Sequence, residues 1–334
     1  MLGDSIWNML AQSTAGPSGL VAVRLHPESP FDLFAALEQF SGHRFLLMKS
    51  GRSHLPPSGP LPVGRGFRVV FVTTPGDPDG AYCIRFELTE PSHADVFDVI
   101  GNDVLQHVLG ATDETHAFSV FVSRIGEWQH FLDELPSDGL SEQVQQGLFA
   151  ELWFLHKFLL PEVGPRKAVG AWAGPKALAK DFHLEGLAFE IKASSAKQHT
   201  RFAISSEVQL DSGGVQRLIL HGLLLERLVS GGTSLVELVS VIRDDLLRLD
   251  AGSAIEFADL LLRTGYKDAD VARYSARFAV RSARFFEVGD DFPRIVGADL
   301  RPGVGDVRYT ILLSECERHA IPEDEVRTLI RATI

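Results

Sequence analysis

The sequence predicts an α/β fold, α+β overall, over a length that suits about two domains. Three observations lead there. Residues 20–135 interleave short alternating segments with stretches of helical periodicity. A strongly apolar helix at 141–160 is followed, after a loop-rich connection, by two short alternating segments joined at Glu185-Gly186. An apolar run at 218–225 then reads as a buried strand with two helices behind it.

Composition permits this plan. At 334 residues, with 45% hydrophobic and 23% charged side chains, the chain can bury large cores, and disorder is not expected. Cys83 and Cys316 lie far apart, with neither a CxxC motif nor zinc-ligand spacing, which suits a reducing cytoplasm. The N-terminus lacks a basic region and a long apolar core, so no secretory signal is expected. No apolar run approaches the ~20 residues that span a bilayer. A cytoplasmic location, away from membranes, is the expectation.

Taken in order, residues 1 to about 18 read as an arm or loosely packed start around a helical turn from Ile6 to Leu10. Strands are expected at 20–25, 43–48, 66–73 and 81–88. Loops are expected at Pro56-Pro57-Ser58-Gly59-Pro60 and Pro75-Gly76-Asp77-Pro78. Helical periodicity marks Phe31 to Phe40, Ala94 to Leu109 and Trp128 to Leu135. Ser137-Asp138-Gly139 breaks the chain before the helix at 141–160, and 161–180 reads as loop-rich. A strand or strand–helix junction is expected at 202–210. Helices at 234–249, capped by Thr233 or Ser234, and about 254–264 follow the buried strand. Strands at 274–288 and 307–313 precede a last helix opened by Pro322-Glu323-Asp324-Glu325, acidic in its first turn.

The hairpin carries the chemistry. With Glu185-Gly186 as the turn, Leu184 pairs with Leu187, Phe182 with Phe189, and Asp181 projects opposite Glu190. Phe182, Leu184, Leu187, Phe189 and Ile191 then share one face; Asp181, His183, Ala188, Glu190 and Lys192 share the other. Carboxylates facing each other across a strand pair have Cβ atoms roughly 4.5–5.5 Å apart and repel. A divalent cation between them would compensate, with Lys192 adding positive charge alongside. A surface hairpin with a Glu190–Lys192 pair is the bland alternative.

Glu151 is the one charge within Leu148-Phe149-Ala150-Glu151-Leu152-Trp153-Phe154-Leu155 and has no basic residue three or four positions away. It needs a partner from elsewhere: an Arg, or a site. The net charge of −12 argues against a protein that simply coats nucleic acid. Residues 160–202, however, hold seven basic residues (Arg166, Lys167, Lys176, Lys180, Lys192, Lys197, Arg201) against four acidic ones, so this segment either faces a phosphate backbone or is an ordinary basic stretch. Solvated charges at a strand end explain Glu315-Cys316-Glu317-Arg318-His319 better than a metal. His183 reads as solvated or supporting, and Trp172 as a packing residue.

In order, a helix with Glu151, a loop, a strand opened by Asp181 and a strand with Glu190-Ile191-Lys192 resemble the core of the PD-(D/E)XK nuclease superfamily. The Gly-Leu-Phe-Ala-Glu-Leu-Trp-Phe-Leu helix, Ala-Trp-Ala-Gly-Pro, Lys-Asp-Phe and Gln209-Leu210 sharpen the likeness to a bacterial family of PD-(D/E)XK motif proteins, over about Gly147 to Leu210. Lys180 departs from the Pro of the superfamily name. The resemblance implies a restriction-endonuclease-like core, a mixed sheet flanked by helices, at 137–215. An N-terminal α+β domain at 1–136 would precede it, and a C-terminal α/β region at 216–334 would pack on or complete it.

It further implies Mg²⁺ or Mn²⁺ held by Asp181, Glu190, the Ile191 carbonyl and, through water, Glu151. Lys192 would handle the attacking water, and Gln209 would be an auxiliary site residue. The activity implied is that of a DNA endonuclease, a hydrolase of bacterial restriction-modification or phage defence, acting as a homodimer or with a partner ATPase, helicase or methyltransferase. A catalytically silent DNA-binding or scaffold subunit is the alternative. Glycoside hydrolysis by two carboxylates fits poorly beside a lysine.

Overall fold

The computed structural model describes all residues except 17–18, 50–59, 65, 74–81, 136–137, 177, 197–199 and 334. The loops expected at 56–60 and 75–78 therefore fall outside the described residues, Pro60 excepted, as do Lys197 and His199. The chain divides into two compact units, residues 1–139 with 267–269, and residues 140–266 with 270–334. Among the described residues no helix is long and apolar enough to cross a membrane.

The first unit begins with helix α1 (Asp4–Gln12), then strands β1 (Leu20–Leu25), β2 (Leu33–Glu38), β3 (His43–Lys49), β4 (Val63–Gly64), β5 (Phe67–Thr73) and β6 (Tyr82–Leu88), and helices α2 (Ala94–Leu109) and α3 (Glu114–Glu134). Its antiparallel sheet runs β1-β2-β3-β6-β5-β4. Helix α2 buries Phe97, Ile100, Val104 and Val108, one stripe at helical spacing. Asp113 caps α3 by accepting from the His116 N–H at 2.8 Å.

Two expectations fail here. The first residues are not loosely packed: Trp7 and Leu10 are buried, and the Trp7 indole donates to Asp98 Oδ1 at 2.8 Å. Phe31 to Phe40 is not helical but carries β2, paired on both sides from Leu33 to Glu38. Leu33, Ala35 and Ala36 are fully buried between those neighbours, and sheet packing overrides the helix preference of Leu, Ala and Glu.

The second unit opens with α4 (Glu142–Phe154), capped by Ser141, which continues through a π-turn at Leu155–Leu159 into α5 (Leu160–Ala171). The expected loop at 161–180 is thus helical over its first half. Pro161 stands where the π-turn passes into α5, Gly164 takes φ 75°, and Pro165 starts the helix again after that kink. Both prolines look like breakers in the sequence but sit at irregular points of the helix. Then come β7 (Phe182–Leu184), β8 (Leu187–Ser194), β9 (Arg201–Ile204), β10 (Arg217–Leu228), β11 (Thr233–Ser234), α6 (Leu235–Leu249), α7 (Ala251–Arg263), β12 (Arg277–Glu287), β13 (Tyr309–Leu312), α8 (Leu313–Cys316), β14 (Ala320–Ile321) and α9 (Glu323–Arg331).

The sheet order is β11-β12-β10-β8-β7, with β14 on β12; β8 and β10 run parallel and the other pairs antiparallel. Strands β9 and β13 form a separate two-stranded ribbon. One face of the sheet packs Phe182, Leu184, Leu187, Phe189 and Ile191 against α4, α5, α6 and α7. The opposite face is not solvated: Ala188 joins Phe202, Ile204, Leu210, Leu218 and Ile311 in a second apolar cluster. The ribbon and the 202–210 segment cover the charged side of the hairpin, which the sequence alone leaves open.

Candidate active site

The hairpin forms in the register projected from its turn. Phe182 pairs with Phe189, His183 with Ala188 and Leu184 with Leu187, and Gly186 takes φ 71° at the turn, a conformation that costs other residues a clash. The ladder ends there, one residue short of an Asp181–Glu190 pair. Asp181 turns inward: its carbonyl accepts from the N–H groups of Ala173 (2.8 Å) and Gly174 (3.1 Å), and its Oδ2 accepts from the Ile191 N–H at 2.7 Å. In a strand the N–H and C=O of one residue point to the same edge. The Ile191 carbonyl therefore lies on the edge where Asp181 sits, while the Ile191 side chain is in the core.

Glu190 is fully buried. Lys192 Nζ lies 2.7 Å from its Oε1, close enough for an ion pair but off the line of a hydrogen bond, and Oε2 has no donor at all among the described residues. Burial, then the charge of Asp181, pushes the Glu190 carboxyl up to about 8, against the opposing pull of Lys192 and Lys180. Lys192 Nζ also donates to Gln209 Oε1 at 3.0 Å, and the same oxygen accepts the Ser205 N–H at 2.8 Å. Gln209 is thus tied to Lys192.

Glu151 arrives from α4, and its partner is not an arginine. Trp172, wholly buried and stacked on Phe257, donates its indole N–H to Glu151 Oε2 at 2.8 Å. Burial and the neighbouring Asp181 hold the Glu151 carboxyl well above its usual range, with Glu190 adding to the effect. Burial raises Asp181 as well, opposed by Lys192 and the Ile191 N–H. Glu151, Asp181, Glu190 and Lys192 all feel one another's charge.

Beside the bond from Trp172 to Glu151, two further contributors escape sequence reasoning. Gly174 packs between the carboxylates: a Cβ there would stand 3.3 Å from Glu151 Oε2 and 3.4 Å from Asp181 Oδ1. Lys180, 6% exposed, donates from Nζ to the Val208 carbonyl and lies within reach of Glu190's charge. The Ala-Trp-Ala-Gly-Pro motif contains both Trp172 and Gly174 and was the available signal for them.

Other candidates are placed elsewhere. Among the described basic residues of 160–202, Lys167 bonds the Thr333 carbonyl, Lys176 pairs with Glu256 (3.7 Å) and the exposed Arg166 with Asp250 (3.8 Å), Lys180 and Lys192 are inside the site, and Arg201 is exposed on β9. Cys316 is buried in the second cluster, whereas Glu317 pairs with Arg284, so the 315–319 cluster disperses. The His183 Nε2 is buried without a partner among the described residues, beside the charge of Lys180, and burial lowers the ring's pKa.

Among the described residues no three His, Cys, Asp or Glu side chains already close as a cage. The donor set nonetheless suits a hard cation: three carboxylates lie within reach of one another's charge, Glu190 Oε2 lacks any donor among the described residues, and Gly174 leaves the gap between Glu151 and Asp181 free of a side chain.

A family model described as "Putative PD-(D/E)XK family member, (DUF4420)" matches residues 4–314. The chain belongs to this family. Membership fixes a restriction-endonuclease-like core for the PD-(D/E)XK chain, and its Asp181, Glu190-Ile191-Lys192 and preceding Glu151 helix stand together in that core. No curated protein and no solved structure matches the chain.

Proposed function

We propose that this PD-(D/E)XK protein is a Mg²⁺- or Mn²⁺-dependent DNA endonuclease that hydrolyses phosphodiester bonds in a bacterial restriction or phage-defence system. The observation that carries it is the convergence of Glu151, Asp181 and Glu190 with Lys192, in a setting where Glu190 Oε2 has no donor among the described residues. Asp181, Glu190 and the Ile191 carbonyl would hold the cation, with Glu151 joining through water. When bound, the cation supplies Lewis-acid stabilisation of the phosphate and acidifies a water. Lys192, held by Gln209, would position or help deprotonate an attacking water and contact the phosphate. Trp172 keeps Glu151 aimed at the site.

Purified protein incubated with duplex DNA should nick or cut in Mg²⁺ or Mn²⁺ and not in EDTA. Asp181→Ala, Glu190→Ala and Lys192→Ala should each lower the rate by roughly 10²-fold or more. Undiminished cleavage by all three would sink the proposal.

One observation favours a second reading. The net charge is −12, and among the described residues Lys167, Lys176, Lys180 and Lys192 each already meet a carbonyl or carboxylate of this chain, which favours help from a partner in gripping a phosphate backbone. A DNA-binding or scaffold subunit working with an ATPase, helicase or methyltransferase, or as a homodimer, fits that balance. Binding to DNA or to a neighbouring gene product, without cleavage in any metal, would select it.

A further inference from the structure

Lys180 is a cation that the proposed chemistry leaves without a role. It is 6% exposed, and its Nζ meets the Val208 carbonyl. Glu190 and Asp211 attract its charge from further away, and burial works against it, lowering its pKa. An ammonium held inside by one carbonyl is a costly way to fill that volume; an apolar side chain of similar size would fold at least as well. Stability alone does not account for it.

Its contact lies next to a site residue. Val208 precedes Gln209, whose Oε1 accepts from Ser205 N–H (2.8 Å) and from Lys192 Nζ (3.0 Å), and Lys192 Nζ in turn lies 2.7 Å from Glu190 Oε1. A continuous chain of contacts therefore runs from Lys180 through the turn at 205–210 to Lys192. We propose that Lys180 is a positioning residue: by holding the Val208 carbonyl it pins the turn where Gln209 suspends the Lys192 ammonium between itself and Glu190. The inference deepens the nuclease reading and rests on it for the role of Lys192. Without Lys180 the turn relaxes, Gln209 lets go, and Lys192 is left on Glu190 alone.

The full chain is compared with Lys180→Met, Lys180→Arg, Gln209→Ala and the Lys180→Met/Gln209→Ala double variant. Three quantities are measured: thermal midpoint, the amide proton shift of Ser205, and cleavage of duplex DNA in Mg²⁺. In Lys180→Met the midpoint should stay at or above that of the unmodified chain while the Ser205 amide proton moves upfield, as its bond to Gln209 is lost. Its kcat should fall about tenfold or more, with KM little changed. Lys180→Arg should restore most of the shift and the rate. In the Gln209→Ala background, Lys180→Met should add less than about twofold, because both act through one contact.

An unmoved Ser205 resonance in folded Lys180→Met, or fully multiplicative losses in the double variant, would overturn the inference. If Lys180→Met does not fold, Lys180→Gln carries the same test. A wild-type chain that cuts nothing would count against the nuclease reading alone, because the Ser205 resonance is read without DNA or metal.

Discussion

Asp181 finishes the hairpin with its side chain: Oδ2 accepts the Ile191 N–H at 2.7 Å, just past the last backbone pair, Phe182 with Phe189. One carboxylate oxygen is thus committed to the backbone, and the other, Oδ1, faces the space beside Gly174 and Glu151. The two roles separate by substitution. Asp181→Asn keeps an oxygen acceptor for Ile191 and should melt near the unmodified chain, whereas Asp181→Ala strands that N–H at a cost of about 1–3 kcal/mol. Both should lose Mn²⁺ binding in titration calorimetry. Equal destabilisation by the two variants would show that the bond to Ile191 is not the structural part of the role.

The hairpin is legible in sequence because its determinants are local: alternation over Phe182 to Ile191 and a glycine where φ must be positive. A cap for α6 at Thr233 or Ser234 is legible for the same reason, and the structure puts it on Ser234, completed by Glu237. Glu151 advertises that it needs a partner, but the partner, Trp172, stands 21 residues away and is fixed by the bend of α5 around Gly164. Lys180 reads as a substituted motif position until the turn 28 residues later closes over it. The covered face of Glu190 is likewise invisible in sequence, since Phe202, Leu210 and Ile311 come from segments with no local reason to meet. Membership of the PD-(D/E)XK family supplies the core but not these supporting contacts.

Gly174 offers a test of the space between the carboxylates. A methyl group there would stand 3.3 Å from Glu151 Oε2 and 3.4 Å from Asp181 Oδ1, tight for the first and ordinary contact for the second. Gly174→Ala should therefore fold with little change in thermal midpoint, since a slight shift of Glu151 relieves the contact. Mn²⁺ binding, read by paramagnetic resonance or calorimetry, should weaken by about tenfold, because the methyl group occupies room that a hydrated cation needs. Unchanged affinity would place the metal away from the Glu151 side of the cluster.

His221 predicts how the second unit responds to acid. It is fully buried on β10, stacked on Phe285 at 4.1 Å, with Nδ1 bonded to the Arg284 carbonyl at 3.1 Å and Nε2 without a partner among the described residues. Burial drives its pKa down to about 3, so the folded ring stays neutral. Between pH 6.5 and 3 the unfolded chain then binds a proton that the folded chain does not, and this contribution to stability is lost as pH falls through that window. His221→Phe gives up one hydrogen bond, about 1 kcal/mol, and should be slightly less stable at pH 7. Its stability should fall less in acid, crossing that of the unmodified chain at roughly pH 5–6. Denaturant curves that stay parallel from pH 7 to 4 would contradict a neutral His221.

Asp98 imposes the opposite dependence on the first unit. Its oxygens accept from the Trp7 indole (2.8 Å) and Arg44 (3.3 Å), and the Arg44 guanidinium lies 5.0 Å from the centre of the Trp7 ring. Burial outweighs both partners and pushes the carboxyl up to about 7. The folded state therefore holds a proton that the unfolded chain has released between about pH 4 and 7, so stability falls as pH rises through that range and levels off above it. The full difference is on the order of 4 kcal/mol. Asp98→Asn keeps an acceptor for the indole and removes the titration, so it should match the unmodified chain near pH 4 and exceed it at pH 8. Urea unfolding followed by amide exchange in α2 separates this unit from the other. A pH-independent difference between the two proteins would mean that Arg44 already keeps Asp98 ionised throughout.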